Sequence, residues 1–113
     1  MATYYKLEKV NALAENDQEF ISVLVQTFLE EIPEDLKSLE EAVQNDNKEQ
    51  SYQLAHKMKP TVELFGLNSF NALLAIQDWG KGLKNQENIK VQLSQVVKAI
   101  SMASKELKID YNL

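Results

Sequence analysis

The sequence contains no cysteine, no arginine and only one histidine among its 113 residues. The missing cysteine excludes disulfides, thiolate metal sites and a cysteine nucleophile. All twelve basic residues are lysine, and the net charge is −5. Nucleic-acid binding needs a basic footprint, usually with arginine for base readout, so no nucleic-acid partner is expected. An acidic surface also repels anionic membranes. No apolar run approaches the roughly 20 residues of a membrane span. Residues 1–6 lack the apolar core of a signal peptide. A cytoplasmic location, away from membranes, is therefore expected. Three glycines and two prolines leave little room for a turn-rich all-β fold.

What is present is helical periodicity from end to end. A short amphipathic pattern over about residues 5–14 carries Leu7, Val10, Leu13 and Ala14. Asn16 has the character of an N-cap, with Glu19 three residues on as its reciprocal partner. A long pattern follows through Phe20, Val23, Leu24, Thr27, Phe28, Ile32, Leu36, Leu39 and Val43. Pro33 should kink or break it, because proline lacks an N–H and crowds the carbonyl four residues earlier. The run 45–47 (Asn-Asp-Asn) caps a third helix, and Gly66 ends it or marks the turn beyond. Asn68 or Ser69 starts a fourth, with Phe70, Leu73, Leu74, Ile76 and Trp79, weakened at its end by Gly80 and Gly82. Asn85 caps a last helix whose Ile89, Leu93, Val96, Ile100, Ala103 and Leu107 alternate four and three apart, the spacing of a bundle seam. Period-two alternation is absent over any length. The expected fold is all-α: one domain over residues 1–113, an antiparallel up-and-down four-helix bundle with a short additional N-terminal helix.

The third helix carries the only histidine. Ala55, Met58, Val62 and Phe65 recur at three- and four-residue spacing and define its buried stripe. At about 100° per residue, His56 lies roughly 150° from the centre of that stripe. A lone histidine is more often a satisfied core residue, but this periodicity puts His56 outside. Two readings remain, an ordinary surface histidine or an exposed imidazole used for chemistry.

Other chemistries lack their residues. A di-metal bundle site needs Glu-x-x-His motifs, and Gln53 stands three residues before His56. A zinc site needs three or four ligands. The glycines match neither a P-loop nor a dinucleotide fingerprint. Glu30, Glu31, Glu34, Asp35, Glu40 and Glu41 lie on or beside one helix and read as a solvated face. Lys59, one turn after His56, can reach an anion held on the imidazole. Pro60 gives no N–H to the His56 carbonyl and costs about 3 kcal/mol relative to Ala in a helix interior. It reads equally as a kink that wraps the helix on the core or as a shaped surface beside the imidazole.

The segment around His56 resembles the signature of histidine-containing phosphotransfer domains. That pattern runs His, any residue, an apolar residue, Lys, Gly, two small residues, two variable residues, an apolar residue and Gly. The matches are His56, Met58, Lys59, Phe65 and Gly66, and Thr61 keeps one small position. Val62 enlarges the other, and Pro60 replaces the usual glycine. The stretch 28–36 is similar to the helix that precedes the phosphorylated one in this family. Asp46 fits the acidic cap found there. Sensor-kinase dimerisation helices differ, with an acidic residue directly after the histidine and proline five after. Here those places show Lys57 and a proline four after, and no ATP-binding domain accompanies them, so autophosphorylation is not expected.

The resemblance implies a covalent phosphoryl carrier without independent turnover. His56 would be the phosphorylated nucleophile, exchanging the group with receiver-domain aspartates in a multistep phosphorelay. Lys59 would neutralise the phosphoryl oxygens. The family often supplies a group from the next helix to orient the imidazole, and ungapped counting from Gly66 places Asp78 there, with Gln77 adjacent. No cofactor of its own is implied, since Mg²⁺ belongs to the receiver. The implied partners are response-regulator receiver domains and a hybrid sensor histidine kinase, and a monomer is expected. Gln53, Lys57, Pro60 and Glu63 should surround His56 on the docking surface, with Phe20, Val23, Leu24 or Thr27 contributed by the preceding helix. Pro60 and Val62 also fit an alternative, a helical docking or adaptor module that is never phosphorylated.

Overall fold

Five α-helices and no strand occur among the described residues, 4–82 and 89–113, of this computed structural model. They are α1 (Glu8–Ala14), α2 (Gln18–Gln44), α3 (Lys48–Leu64), α4 (Phe70–Gly80) and α5 (Ile89–Asp110). The all-helical expectation holds. The expected cap at Asn85 lies outside the described residues.

The last helix follows its sequence pattern fully, since Ile89, Leu93, Val96, Ile100, Ala103 and Leu107 are all buried. Burying a large aliphatic side chain contributes about 1.5–3 kcal/mol relative to leaving it exposed. In α2 the buried series is Ile21, Val25, Phe28, Ile32, Leu36, Leu39 and Val43. Phe20 and Val23 instead stay 43% and 51% exposed, Thr27 is exposed and Leu24 is half-buried. Two apolar series run side by side through the first turns of α2, and packing on the neighbouring helices selects the Ile21 series.

Two local expectations need correction. The side chain capping α2 is Asp17, not Asn16; its Oδ1 accepts from the Glu19 and Phe20 N–H groups at 3.1 and 3.4 Å. Asn16 and Glu15 instead have positive φ, 61° and 52°, and form the left-handed turn out of α1. Likewise Asp46, expected as the acidic cap of α3, takes the left-handed turn position at φ 54°. The neighbouring Asn47 is the cap, its Oδ1 accepting from the Gln50 N–H at 3.1 Å. α2 runs through Pro33 without a break. The lost hydrogen bond there is outweighed by the buried stripe that continues on both sides, at Ile32 and Leu36.

α3 packs on both α2 and α4, α4 on α5, and α5 back on α2, while α1 leans on α2. The α2/α3 pairing is antiparallel. Phe28 meets Phe65 with ring centroids 4.8 Å apart, and the Lys57 ammonium reaches Asp35 Oδ1 at 3.1 Å. α3 and α4 also run in opposite directions, since Gly80 at the end of α4 abuts Lys48 and Tyr52 at the start of α3.

The N-terminal segment is a strap rather than the first turn of α1. Helix begins at Glu8, not near residue 5. The Lys6 N–H donates to the Phe65 carbonyl at 2.7 Å. Tyr5, buried at the core edge, donates its hydroxyl to Asp110 Oδ2 at 2.5 Å, and the Tyr4 N–H donates to Glu106 Oε1 at 2.6 Å. Gly66 permits this crossing for two reasons: its φ is +63°, and a Cβ there would lie 2.8 Å from Lys6 Cβ. The strap therefore joins the end of α3 to the end of α5. Among the described residues no helix is long and apolar enough to cross a membrane.

Candidate functional site

α3 presents its residues as the sequence period requires. Ala55, Met58 and Val62 are buried, and His56 is exposed on the opposite side. The helix continues through Pro60 to Leu64. Pro60 itself is exposed and leaves the His56 carbonyl without its usual donor four residues on. Gln53, Lys57 and Glu63 are exposed around His56, and Lys59 is half-buried.

The charged neighbours are not equivalent. Lys57 is held by Asp35 of α2, whose side chain is only 13% exposed. Glu63 is held by Lys9 of α1 at 3.3 Å. Lys59 has no ion pair or hydrogen bond among the described residues. Its ammonium, one helical turn from His56, is thus the cation near the imidazole left available for an incoming anion. An exposed imidazole can act as a nucleophile through the ring nitrogen that carries no proton.

Neither ring nitrogen of His56 has a hydrogen-bond partner among the described residues. Asp78, half-buried on α4, makes no hydrogen bond to it. Gly80, two residues beyond Asp78, abuts Tyr52, one turn before His56, so the end of α4 does run alongside this part of α3. Gln77 points inward instead. It is 8% exposed, and its Oε1 has no partner among the described residues.

The contribution expected from the start of α2 is not there. The pairs Phe28–Phe65 and Asp35–Lys57 fix the antiparallel register and bring α2 level with His56 near Leu36. Val23 is thirteen residues earlier, roughly 20 Å along the axis at about 1.5 Å per residue. Phe20, Leu24 and Thr27 lie toward that same far end. The α2 neighbour of the site is the segment around Asp35.

One neighbour of His56 was not singled out from the sequence. The Tyr52 ring stacks on the His56 ring, with centroids 5.7 Å apart and planes 22° from parallel. The signal for it was present, since Tyr52 is four residues before His56 and so shares its face. Lys81, with its ammonium 4.9 Å from the Tyr52 ring centroid, could not have been placed without the packing of α4 on α3. Among the described residues no group of three or more His, Cys, Asp and Glu side chains is placed to hold a metal ion.

An outward histidine followed one turn later by a lysine without a partner among the described residues lies on an open helix surface flanked by two other helices, not in an enclosed pocket. The Hpt domain model matches residues 23–100, which include α3 and most of the helices packed around it. The chain therefore belongs to the Hpt domain family. Its fold is similar to the crystal structure of histidine-containing phosphotransfer protein B (HptB) from Pseudomonas aeruginosa PAO1, with a TM-score of 0.83. That similarity covers 99% of this chain and 97% of the other, at 17% sequence identity. No curated protein matches the sequence.

Proposed function

We propose that this protein is a phosphoryl carrier that accepts the group on His56 from a receiver-domain aspartate and passes it to another receiver. The observation that carries this reading is the exposed His56 imidazole with Lys59, unpaired among the described residues, one turn away, inside the segment matched by the Hpt model. The scaffold would be the antiparallel up-and-down four-helix bundle read from the sequence, with α1 in addition. The closed circuit of packing from α2 through α3, α4 and α5 supports that architecture.

In the forward step a neutral imidazole nitrogen attacks phosphorus in line. The P–O bond to the aspartyl carboxylate breaks, the carboxylate leaves with the bonding pair, and a P–N bond forms. The proton on the second ring nitrogen stays in place, so the product is a phosphoimidazolium. Its positive ring makes it a good leaving group for the return step. Such transfers depend mainly on positioning and charge neutralisation. Lys59 supplies charge from this chain. The Mg²⁺ is assigned to the receiver, with no cofactor on this side. Asp78 is retained as a candidate orienter that would have to turn toward the ring when the receiver docks. Gln53, Lys57, Pro60 and Glu63 are assigned to the docking surface, and the partners to receiver domains and a hybrid sensor kinase. The protein would act as a cytoplasmic monomer.

Incubation with Mg²⁺ and a phosphorylated receiver should give an acid-labile, base-stable phosphoprotein. His56→Gln should abolish the label without altering the helical circular dichroism. Label on His56→Gln, or receiver binding that survives His56→Ala with no wild-type phosphorylation, would sink the carrier reading. The second result would support a docking module.

A further inference from the structure

The start of α3 and the end of α4 interlock beside His56. Gly80 sits so close to α3 that a Cβ there would lie 2.7 Å from the Lys48 carbonyl oxygen and 2.8 Å from both the N and the Cβ of Tyr52. Two cation–π contacts cross this seam in opposite senses. Lys48 of α3 stands over Trp79 of α4 at 5.5 Å, and Lys81, just past α4, stands over Tyr52 of α3 at 4.9 Å. Tyr52 is thereby fixed at its backbone by Gly80 and at its ring by Lys81. Its ring is also the one aromatic contact of His56 among the described residues.

We propose that Tyr52 is a positioning residue for the His56 imidazole, resting on the reading of His56 as the phosphoryl acceptor. An offset stack at 5.7 Å sets the Tyr52 ring beside the imidazole and restricts rotation of that ring. It consumes neither ring nitrogen, so one remains free to attack and the other free to keep its proton. The phosphoryl group joins in the plane of the ring, so a neighbour on the face does not block it. Phosphoryl transfer rewards this kind of restraint, because alignment supplies much of the rate. The Tyr52 hydroxyl has no hydrogen-bond partner among the described residues, so the ring and not the hydroxyl carries the role.

Phosphoramidate provides a test without a receiver. Its P–N bond breaks, ammonia leaves, and a P–N bond to the imidazole forms. Wild type, Tyr52→Phe, Tyr52→Leu and Tyr52→Gln are labelled across a range of donor concentrations. Tyr52→Phe should keep the wild-type rate within about two-fold. The Leu and Gln variants, both helix formers at a half-buried position, should be about two- to ten-fold slower at saturating donor, with unchanged half-saturation. Ring-current shifts of the His56 ring protons should be present in wild type and Tyr52→Phe and lost in the other two. Wild-type rates in both Leu and Gln variants, or a Phe variant as slow as they are, would overturn the role of Tyr52 alone. Wild-type protein that takes no label would overturn the carrier reading, and the role of Tyr52 with it.

Discussion

Replacing Gly80 by alanine sets two effects of opposite sign against each other. In an unobstructed helix the change adds about 1 kcal/mol of stability, because glycine is the poorer helix former. Here the new methyl group would meet the Lys48 carbonyl oxygen at 2.7 Å and the Tyr52 backbone nitrogen at 2.8 Å. Both obstacles are backbone, so no side chain can swing away. α3 and α4 must part by about 0.7 Å before that approach reaches the 3.4 Å of ordinary contact. Overpacking of this kind typically costs about 1–3 kcal/mol, with the upper half appropriate to backbone obstacles. Net destabilisation of about 1–2 kcal/mol is expected, or a fall in Tm of about 5–10 °C for a domain of this size. Circular dichroism melting of Gly80→Ala against wild type measures it. Gly82→Ala is the control, because nothing among the described residues lies within 4 Å of a Cβ there. Its cost, about 1 kcal/mol, comes only from the positive φ of 74°. A Gly80→Ala protein as stable as wild type, or more so, would refute the close approach and with it the seam that fixes Tyr52.

Two further predictions concern the strap and the site. Tyr5→Phe removes the hydrogen bond to Asp110 and should cost about 1 kcal/mol at neutral pH, read by urea unfolding. Burial first, and then the Asp110 hydrogen bond, hold the Tyr5 hydroxyl above its ordinary value of 10.0. Its raised folded value means that this stability is complete below about pH 10 and is lost as the pH climbs through the folded value. Alkaline titration of stability should therefore show a fall in wild type that is smaller in Tyr5→Phe, and equal falls would exclude Tyr5 as the source. Lys59→Ala should slow transfer from a phosphorylated receiver by about ten-fold or more, as loss of one charged donor typically does, with an unchanged melting temperature. An unchanged rate removes the charge-neutralising role of Lys59.

Much of this protein could be read along the chain. The seam of α5 and the outward place of His56 follow from angle alone, because each residue advances about 100° around its own helix. The motif from His56 to Gly66 needed no tertiary information, since its residues fall within three turns of one helix and its end. Gly66 was legible as a helix end, but not as the point where Lys6 crosses. The start of α2 was misread because Phe20, Val23 and Thr27 repeat at helical spacing as well as Ile21, Val25 and Phe28 do. Periodicity ranks faces by apolar content and cannot say which one meets a neighbour. The caps were displaced by one residue for a similar reason. In 15–17 and 45–47 several residues can either cap or adopt a left-handed turn, and the chain path decides which does which.

By itself the sequence determined an all-helical chain with one outward histidine, a lysine one turn on and a family signature around them. Those are properties of residues near one another in the chain, governed by backbone period and side-chain chemistry. The tertiary structure alone decided what stands beside that histidine. Antiparallel register brings Asp35 to the site and removes Phe20 and Val23 from it. The absent side chain of Gly80 lets α4 close on α3, leaving Tyr52 under Lys81 and stacked on His56. The backbone period of one helix carries no information about the register of the next, which is set by how their surfaces fit.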